Sequence, residues 1–457
     1  MGISSLGVGS SILTQDVLDQ LRKADEASII TPLKLNLANE NDKKDALDII
    51  DASMKNLSDS IDELKNATLF DARSVEVTGT SVEVTADANS DIQEFTLDVT
   101  QLATKQVEES GSFTAKTDTI ASDTGSINLN IDGEDFTIDY DDTTTLDDLK
   151  KAINNIAGDK VSATIVQIGD GDYRLFLNSV GTGSNQDITI TDNDSNLSGT
   201  QLTDDMSVVQ SGVDAEFTFN GQAITRSSNK VTDLITGYDI TLKEVGSSNV
   251  NVAQNREEIM SRIDSFVEKY NSAVDELTKM TKSSTDSSER GIFSGSSTIK
   301  GMKSTIENMI GSVGGSVGTM YDFGFDVDKD GKLSVDKSVI EAKLDDNAAN
   351  VEAFFSGGDY ENADGSTTTL TGAFVEMATS LGEYTKYNGN LDQFQTSINE
   401  RISTLEDSKA KATERLDSRY EILKKKFAAY DLMISKLNSA SSMFVQMVNA
   451  QTAAQKQ

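Results

Sequence analysis

Residues 416 to 448 read LDSRYEILKKKFAAYDLMISKLNSASSMFVQMV, and their spacing decides the fold. Leu416, Tyr420, Leu423, Phe427, Tyr430, Ile434, Leu437, Ser441, Phe444 and Val448 follow steps of four and three. That period keeps one seam facing a partner helix. Leu391, Phe394, Ile398 and Leu405 extend the run upstream, with a stutter-like shift of register between Leu405 and Leu416. As one helix, residues 390 to 450 would span about 90 Å. A second run, Leu47, Ile50, Met54, Leu57, Ile61 and Leu64, steps the same way, as does a third, Ile259, Ile263, Phe266, Tyr270, Ala273, Leu277 and Met280. Long helices at opposite ends of the sequence bury such stripes on each other and form a stem, leaving the middle of the chain as a head. The only proline, Pro32, follows Thr31, a pairing that suits a helix start. This predicts a short helix over 14–28, a break, and a long helix to about 67.

The middle changes period from 3.5 to 2. Ser74-Val75-Glu76-Val77-Thr78, Val82-Glu83-Val84-Thr85 and Glu94-Phe95-Thr96-Leu97-Asp98-Val99 alternate apolar and polar residues, as half-buried antiparallel strands do. Similar strands recur over 126–192, interrupted by a helix at 146–156, and over 213–252, where Asn220-Gly221 marks a hairpin. The fold class is α+β: a long terminal coiled-coil stem, with all-β and α+β head domains inserted between the N- and C-terminal helices. The expected parts are terminal leg segments (1–40 and 431–457), a helical bundle with a small β element (41–70 and 254–430), a β-rich head domain (71–115 and 208–253) and a nested head domain (116–207).

Composition excludes much chemistry. The 457 residues include no histidine and no cysteine, which removes Ser-His-Asp and Cys-His nucleophiles, disulfides, and metal sites built on imidazole or thiolate. Net charge is -35, but residues 400–457 carry +3 and the rest -38. A field of that sign repels phosphate, so nucleic acid is not an expected partner. No window is apolar enough to span a membrane, and the N-terminus shows no signal-peptide pattern, so export would use a route without a cleaved signal. Asp326, Asp328, Asp330 and Gly331 imitate a calcium loop, yet Lys337 stands where its last acidic ligand belongs. A hairpin turn is the preferred reading. Asp139, Asp141, Asp142, Asp147 and Asp148 could be read as a glycosidase carboxylate pair, but an acidic surface explains them in so acidic a chain. No catalytic residue, metal or cofactor is expected.

The seams divide by their opportunity for burial. Leu47, Ile50, Met54, Leu57, Ile61, Leu64, Ile259, Ile263, Phe266, Tyr270, Leu277, Leu416, Leu423 and Phe427 are expected to pack within one subunit. Ile434, Leu437, Phe444, Met447 and Val448 meet only the sparse apolar positions Ile12, Val17, Leu18 and Leu21. These nine residues are therefore candidates for contact between subunits or with a filament.

Arg415-Leu416-Asp417-Ser418-Arg419-Tyr420-Glu421, Lys426-Phe427 and Ile434-Ser435-Lys436-Leu437-Asn438-Ser439 resemble the C-terminus of the flagellar filament cap family, also called hook-associated protein 2. Ser4-Ser5-Leu6-Gly7-Val8-Gly9-Ser10 is similar to the family's glycine-rich opening, and Phe266-Val267-Glu268-Lys269-Tyr270-Asn271 to its Phe-Val-x-x-Tyr-Asn helix. Residues 322–355 resemble another family block, and 161–190 a flagellin-type insert. The resemblance implies a noncatalytic protein at the distal tip of a bacterial flagellum, exported through the flagellar type III apparatus. It also implies a ring of about five or six copies that guides flagellin into the filament and prevents its loss, with a hook-filament junction protein and an export chaperone as further partners. The alternatives are a tip adhesin, for which the head offers no aromatic platform, or a flagellin-like or junction protein, whose terminal motifs differ.

Overall fold

The computed structural model describes residue 12 and residues 14–454, the side chains of 453 and 454 excepted. The glycine-rich opening at 4–10 therefore lies outside the described residues. In chain order the helices are α1 (Gln15–Leu64), α2 (Thr68–Asp71), α3 (Leu146–Ile156), α4 (Arg256–Thr281), α5 (Ser297–Ser312), α6 (Lys337–Ser356), α7 (Ala373–Thr385) and α8 (Asn390–Ala454). With the strands between them they make an α+β chain of two compact units, Met1–Ala67 with Met260–Gln457, and Thr68–Ile259.

In the first unit α1 begins where Thr14 caps it, the hydroxyl accepting from Val17 N–H at 3.4 Å. The break expected before Pro32 is absent: α1 continues through it to Leu64. Proline inside a helix removes one hydrogen bond and costs about 3 kcal/mol. Here Ile30 is buried in a cluster with Ala412, Leu416 and Tyr420 of α8, and Leu33 packs against that cluster. Burial on both sides of the proline offsets its cost. The seam from Leu47 to Leu64 is buried throughout, and α8 runs antiparallel to it, with Gln395 Nε2 donating to Asp48 Oδ1 at 3.0 Å.

Aromatic rings meet in the remaining core of this unit, beside buried aliphatic residues such as Ile306, Ile340 and Leu381. Phe266 of α4 lies edge-on to Phe374 of α7, centroids 5.1 Å apart at 86°. It also meets Phe325 at 6.3 Å and Tyr270 at 6.2 Å. Phe355 of α6 contacts Phe374 at 5.0 Å. Phe325 belongs to a hairpin, Phe325–Val327 with Leu333–Val335, which is what the Asp-Gly signal predicts. The Asp328 carboxylate accepts from Asp330 N–H and Lys332 N–H, both at 2.8 Å, and so closes the turn. Asn271 of α4 holds the hairpin by two bonds to the Leu333 backbone, each 2.8 Å. Gly324 turns the chain into it at φ 85°, where a Cβ would lie 2.6 Å from the Asp336 carbonyl oxygen.

The second unit contains two cores. One lies between a five-stranded antiparallel sheet, ordered Arg73–Thr78, Gly246–Gln254, Gln93–Gln101, Ala215–Phe219, Gln222–Arg226, and a three-stranded sheet, ordered Lys230–Val231, Tyr238–Leu242, Val82–Ala86. Phe95, Leu97, Phe217, Tyr238, Ile240 and Val250 fill it. Asn220 and Gly221, both at positive φ, make the expected hairpin. The other core lies between the sheet Ser207–Gln210, Val107–Glu109, Asp172–Ser179, Val161–Gly169 and the sheet Glu134–Tyr140, Gly125–Ile131, Thr189–Asp192, with α3 packed among them. Thr145 and Asp148 form a reciprocal capping box that starts α3. Strands Val107–Glu109 and Ser207–Gln210 pair within this sheet, although 107–109 and 208–210 were expected in the flanking head domain.

The chain passes between these cores along two adjacent segments. Thr104 N–H donates to the Val213 carbonyl at 2.9 Å, and Gly212 N–H to Gln106 Oε1 at 2.6 Å. Asp214 accepts from the backbone and hydroxyl of Ser184, at 2.7 and 3.0 Å.

Tyr140 gives the insert a measurable signature. Burial, and then the Asp192 carboxylate that accepts its O–H at 2.6 Å, push the phenol up to about 12. An unfolded phenol ionises near 10. The stability this group contributes is complete below about pH 10 and is lost as pH rises towards 12. Over that window the unfolding midpoint of the parent should therefore fall more steeply than that of Tyr140→Phe. Other tyrosines titrate alike in both proteins, so equal slopes would refute the assignment.

Candidate filament-contact surface

The surface in question is built on the C-terminal part of α8. At 65 residues this helix is about 98 Å long. Its middle is covered: Ala412, Leu416 and Tyr420 cluster with Leu18 and Ile30 of α1, and Leu423 and Phe427 pack on the margin. Charges surround this contact. Arg22 pairs with Glu26 at 2.8 Å and with Asp417, while Asp25 accepts the Tyr420 hydroxyl at 2.9 Å and lies 3.3 Å from Arg419. Burial and the Asp25 carboxylate push the Tyr420 phenol upward. These pairs are largely exposed and contribute little stability individually, so the apolar cluster carries the contact.

Beyond Phe427 the apolar cover ends, although Asp431 is still buried. Leu437, Met447 and Val448 are exposed, Phe444 is 66% exposed, and Ile434 is half-buried. On the N-terminal side Ile12 and Leu21 are exposed and Val17 is half-buried. Leu18 corrects its grouping: at 3% exposure it is covered by α8 within the chain. Ile259, Ile263, Phe266, Tyr270 and Leu277 are buried, as is the run from Leu47 to Leu64. Leu416 is buried apart from them, in the Leu18 cluster, with Leu423 and Phe427 at its edge.

A second apolar stripe escaped the sequence reading. Ile422, Met433 and Met443 are exposed on α8 and join Met447, which was already named as a candidate. With Ala429 and Ala440 they fall one position N-terminal to the first seam, in a row whose two other places, between Ile422 and Ala429 and between Met433 and Ala440, are taken by Lys426 and Lys436. Counting heptads from Ile422 as well as from Leu423 would have found it. Lys424, Lys425 and Lys426 stand exposed between the covered and uncovered parts of the helix.

The acidic clusters are engaged locally. Asp141 accepts from Thr143 and Thr144, Asp147 pairs with Lys150 and Lys151, and Asp148 completes the α3 cap. Among the described residues no group of three acidic side chains is placed to hold a metal ion. No described helix is long and apolar enough to cross a membrane.

Comparison with known proteins bears on the whole chain. Residues 10–106 match the family model described as flagellar hook-associated protein 2 N-terminus, and residues 212–439 the one described as its C-terminus. The matches flank the nested insert. Flagellar hook-associated protein 2 of Aeromonas caviae is 25% identical, with 100% of each chain covered. That of Escherichia coli is 27% identical, covering 97% of each. A crystal structure of the flagellar cap protein FliD from Escherichia coli superposes with a TM-score of 0.59 at 24% identity, covering 78% of this chain and 99% of that one, and shares its fold. With matches at both ends, in order, and full-length relatives of one description, the chain belongs to the flagellar hook-associated protein 2 family, the caps of flagellar filaments.

Proposed function

We propose that this chain acts outside the cell at the distal tip of a bacterial flagellum, as a ring-shaped homo-oligomer of about five or six copies. It promotes ordered insertion of exported flagellin and prevents its loss. The observation that carries the reading is the uncovered end of α8, where Leu437, Phe444, Met447 and Val448 lie exposed on one helix. Apolar side chains grouped in this way mark a surface meant for a protein partner. Neighbouring copies and flagellin are the partners assigned to it, with the hook-filament junction protein below the first ring and a type III export chaperone before export. The role needs binding and release of subunits and no chemical step. The four-part division predicted above is retained as a proposal, with the insert extended to include Val107–Glu109 and Ser207–Gln210.

Deleting the gene tests this directly. Monomeric flagellin in the medium and bare hooks by electron microscopy are the expected result, restored to filaments by the intact gene. Normal filaments in the deletion strain would overturn the reading.

A further inference from the structure

The apolar seam between α1 and α8 is broken at one layer. Glu40 stands seven residues before Leu47, at a seam position, and is the only buried residue of α1 between Ile30 and Leu47. On α8 no residue between Ile398 and Ala412 is buried. Asn36, Asn39, Glu40 and Lys43 instead face Ser397, Glu400, Arg401 and Thr404, with Leu405 the one apolar residue, across a groove of about 580 Å³. This layer separates the packed run from Leu47 to Leu64 from the Leu18 cluster. The stutter between Leu405 and Leu416 falls next to it.

Its polar groups are unevenly satisfied. Glu40 Oε1 accepts from Lys43 at 2.5 Å, but Oε2 is buried with no hydrogen-bond partner among the described residues. Arg401 Nη1 stands 4.0 Å from that oxygen, beyond hydrogen-bond reach. The guanidinium is held on its own helix instead, donating to the Ser397 carbonyl at 3.2 Å and hydroxyl at 3.1 Å. A buried carboxylate oxygen without a donor is an unfavourable arrangement with one nearby remedy: the helices approach, and Arg401 exchanges Ser397 for Glu40.

We infer that this layer is a flexure point in the α1–α8 pair, with an open arrangement in which Arg401 bonds Ser397 and a closed one in which it bonds Glu40. The closed state gains a charge-assisted bond, and the open state keeps better hydration of both helices. A polar, underpacked layer between two well-packed segments bends at little cost, whereas a continuous apolar seam resists bending. The inference rests on the capping reading only for its use, which is to let the covered cluster around Leu18 and Leu416 reorient as flagellin is added.

The chain has no native cysteine, so introduced ones take spin labels uniquely. Leu35→Cys with Glu406→Cys spans the polar layer of the full chain, and Asp51→Cys with Gln393→Cys spans the packed seam. Electron-electron double resonance should give a broad or two-component distance distribution for the first pair and a single narrow one for the second. In a Glu40→Leu/Arg401→Leu background, which makes the seam apolar, the longer component of the first pair should be lost. Glu40→Gln keeps the layer polar and should keep the breadth. Should the parent's first pair be as narrow as its second, or should breadth survive in the double-leucine background, the flexure is refuted. Failure of the parent gene to restore filaments, with the breadth intact, would instead refute the capping reading.

Discussion

Phe266→Ala should lower the unfolding free energy of the helical unit by about 3–5 kcal/mol, the range for emptying an aromatic site in a packed core. Phe266 is fully buried, and three aromatic rings, Tyr270, Phe325 and Phe374, meet its own from α4, the hairpin and α7. Truncation therefore removes edge contacts to several elements at once, and the hairpin, tied to α4 through Asn271, cannot collapse freely into the space. Phe266→Leu keeps much of the volume and should cost less than half as much. Urea titration followed by far-ultraviolet circular dichroism measures both. A loss below about 1 kcal/mol for the alanine variant, typical of a site that relaxes completely, would contradict this picture of the core.

The second large effect concerns assembly rather than stability. Ending the chain after Tyr430 should abolish complementation of a deletion strain while leaving the β signal in circular dichroism unchanged. Every strand lies upstream of α8, and the covered positions Ala412, Leu416, Tyr420, Leu423 and Phe427 all remain. What is removed is the exposed series that includes Leu437, Phe444 and Met447. Either collapse of the β signal or full restoration of motility would count against the surface.

Most of the architecture was legible because periodicity records burial directly. Leu47 to Leu64 stepped by three and four, and those residues are buried. The helix expected over 146–156 is α3, and Asn220-Gly221 marked a hairpin. Pro32 misled, because local propensity says nothing of the cover that Leu416 and Tyr420 give its neighbours. Val107–Glu109 was too short to show alternation, and only its pairing with Asp172–Ser179 assigns it to the insert. Glu40 was invisible as a seam residue because a charged side chain at a heptad position breaks the pattern by which seams are recognised. Ile422, Met433 and Met443 were overlooked because a helix bearing two adjacent stripes satisfies a search for one.

The joint between the two β cores also bears on how such chains change over evolutionary time. Thr104 and Val213 are hydrogen-bonded neighbours, as are Gln106 and Gly212, so the insert leaves and rejoins its host at a single point. Apart from the bonds of Thr182 to Ser227 and Ser184 to Asp214, a segment whose ends already touch asks of its host little more than loop closure, whose cost grows slowly with length. Lineages can therefore lengthen, shorten or replace what lies between Gln106 and Gly212 without repacking Phe95, Phe217 or Tyr238. Insert and host are then free to diverge at different rates.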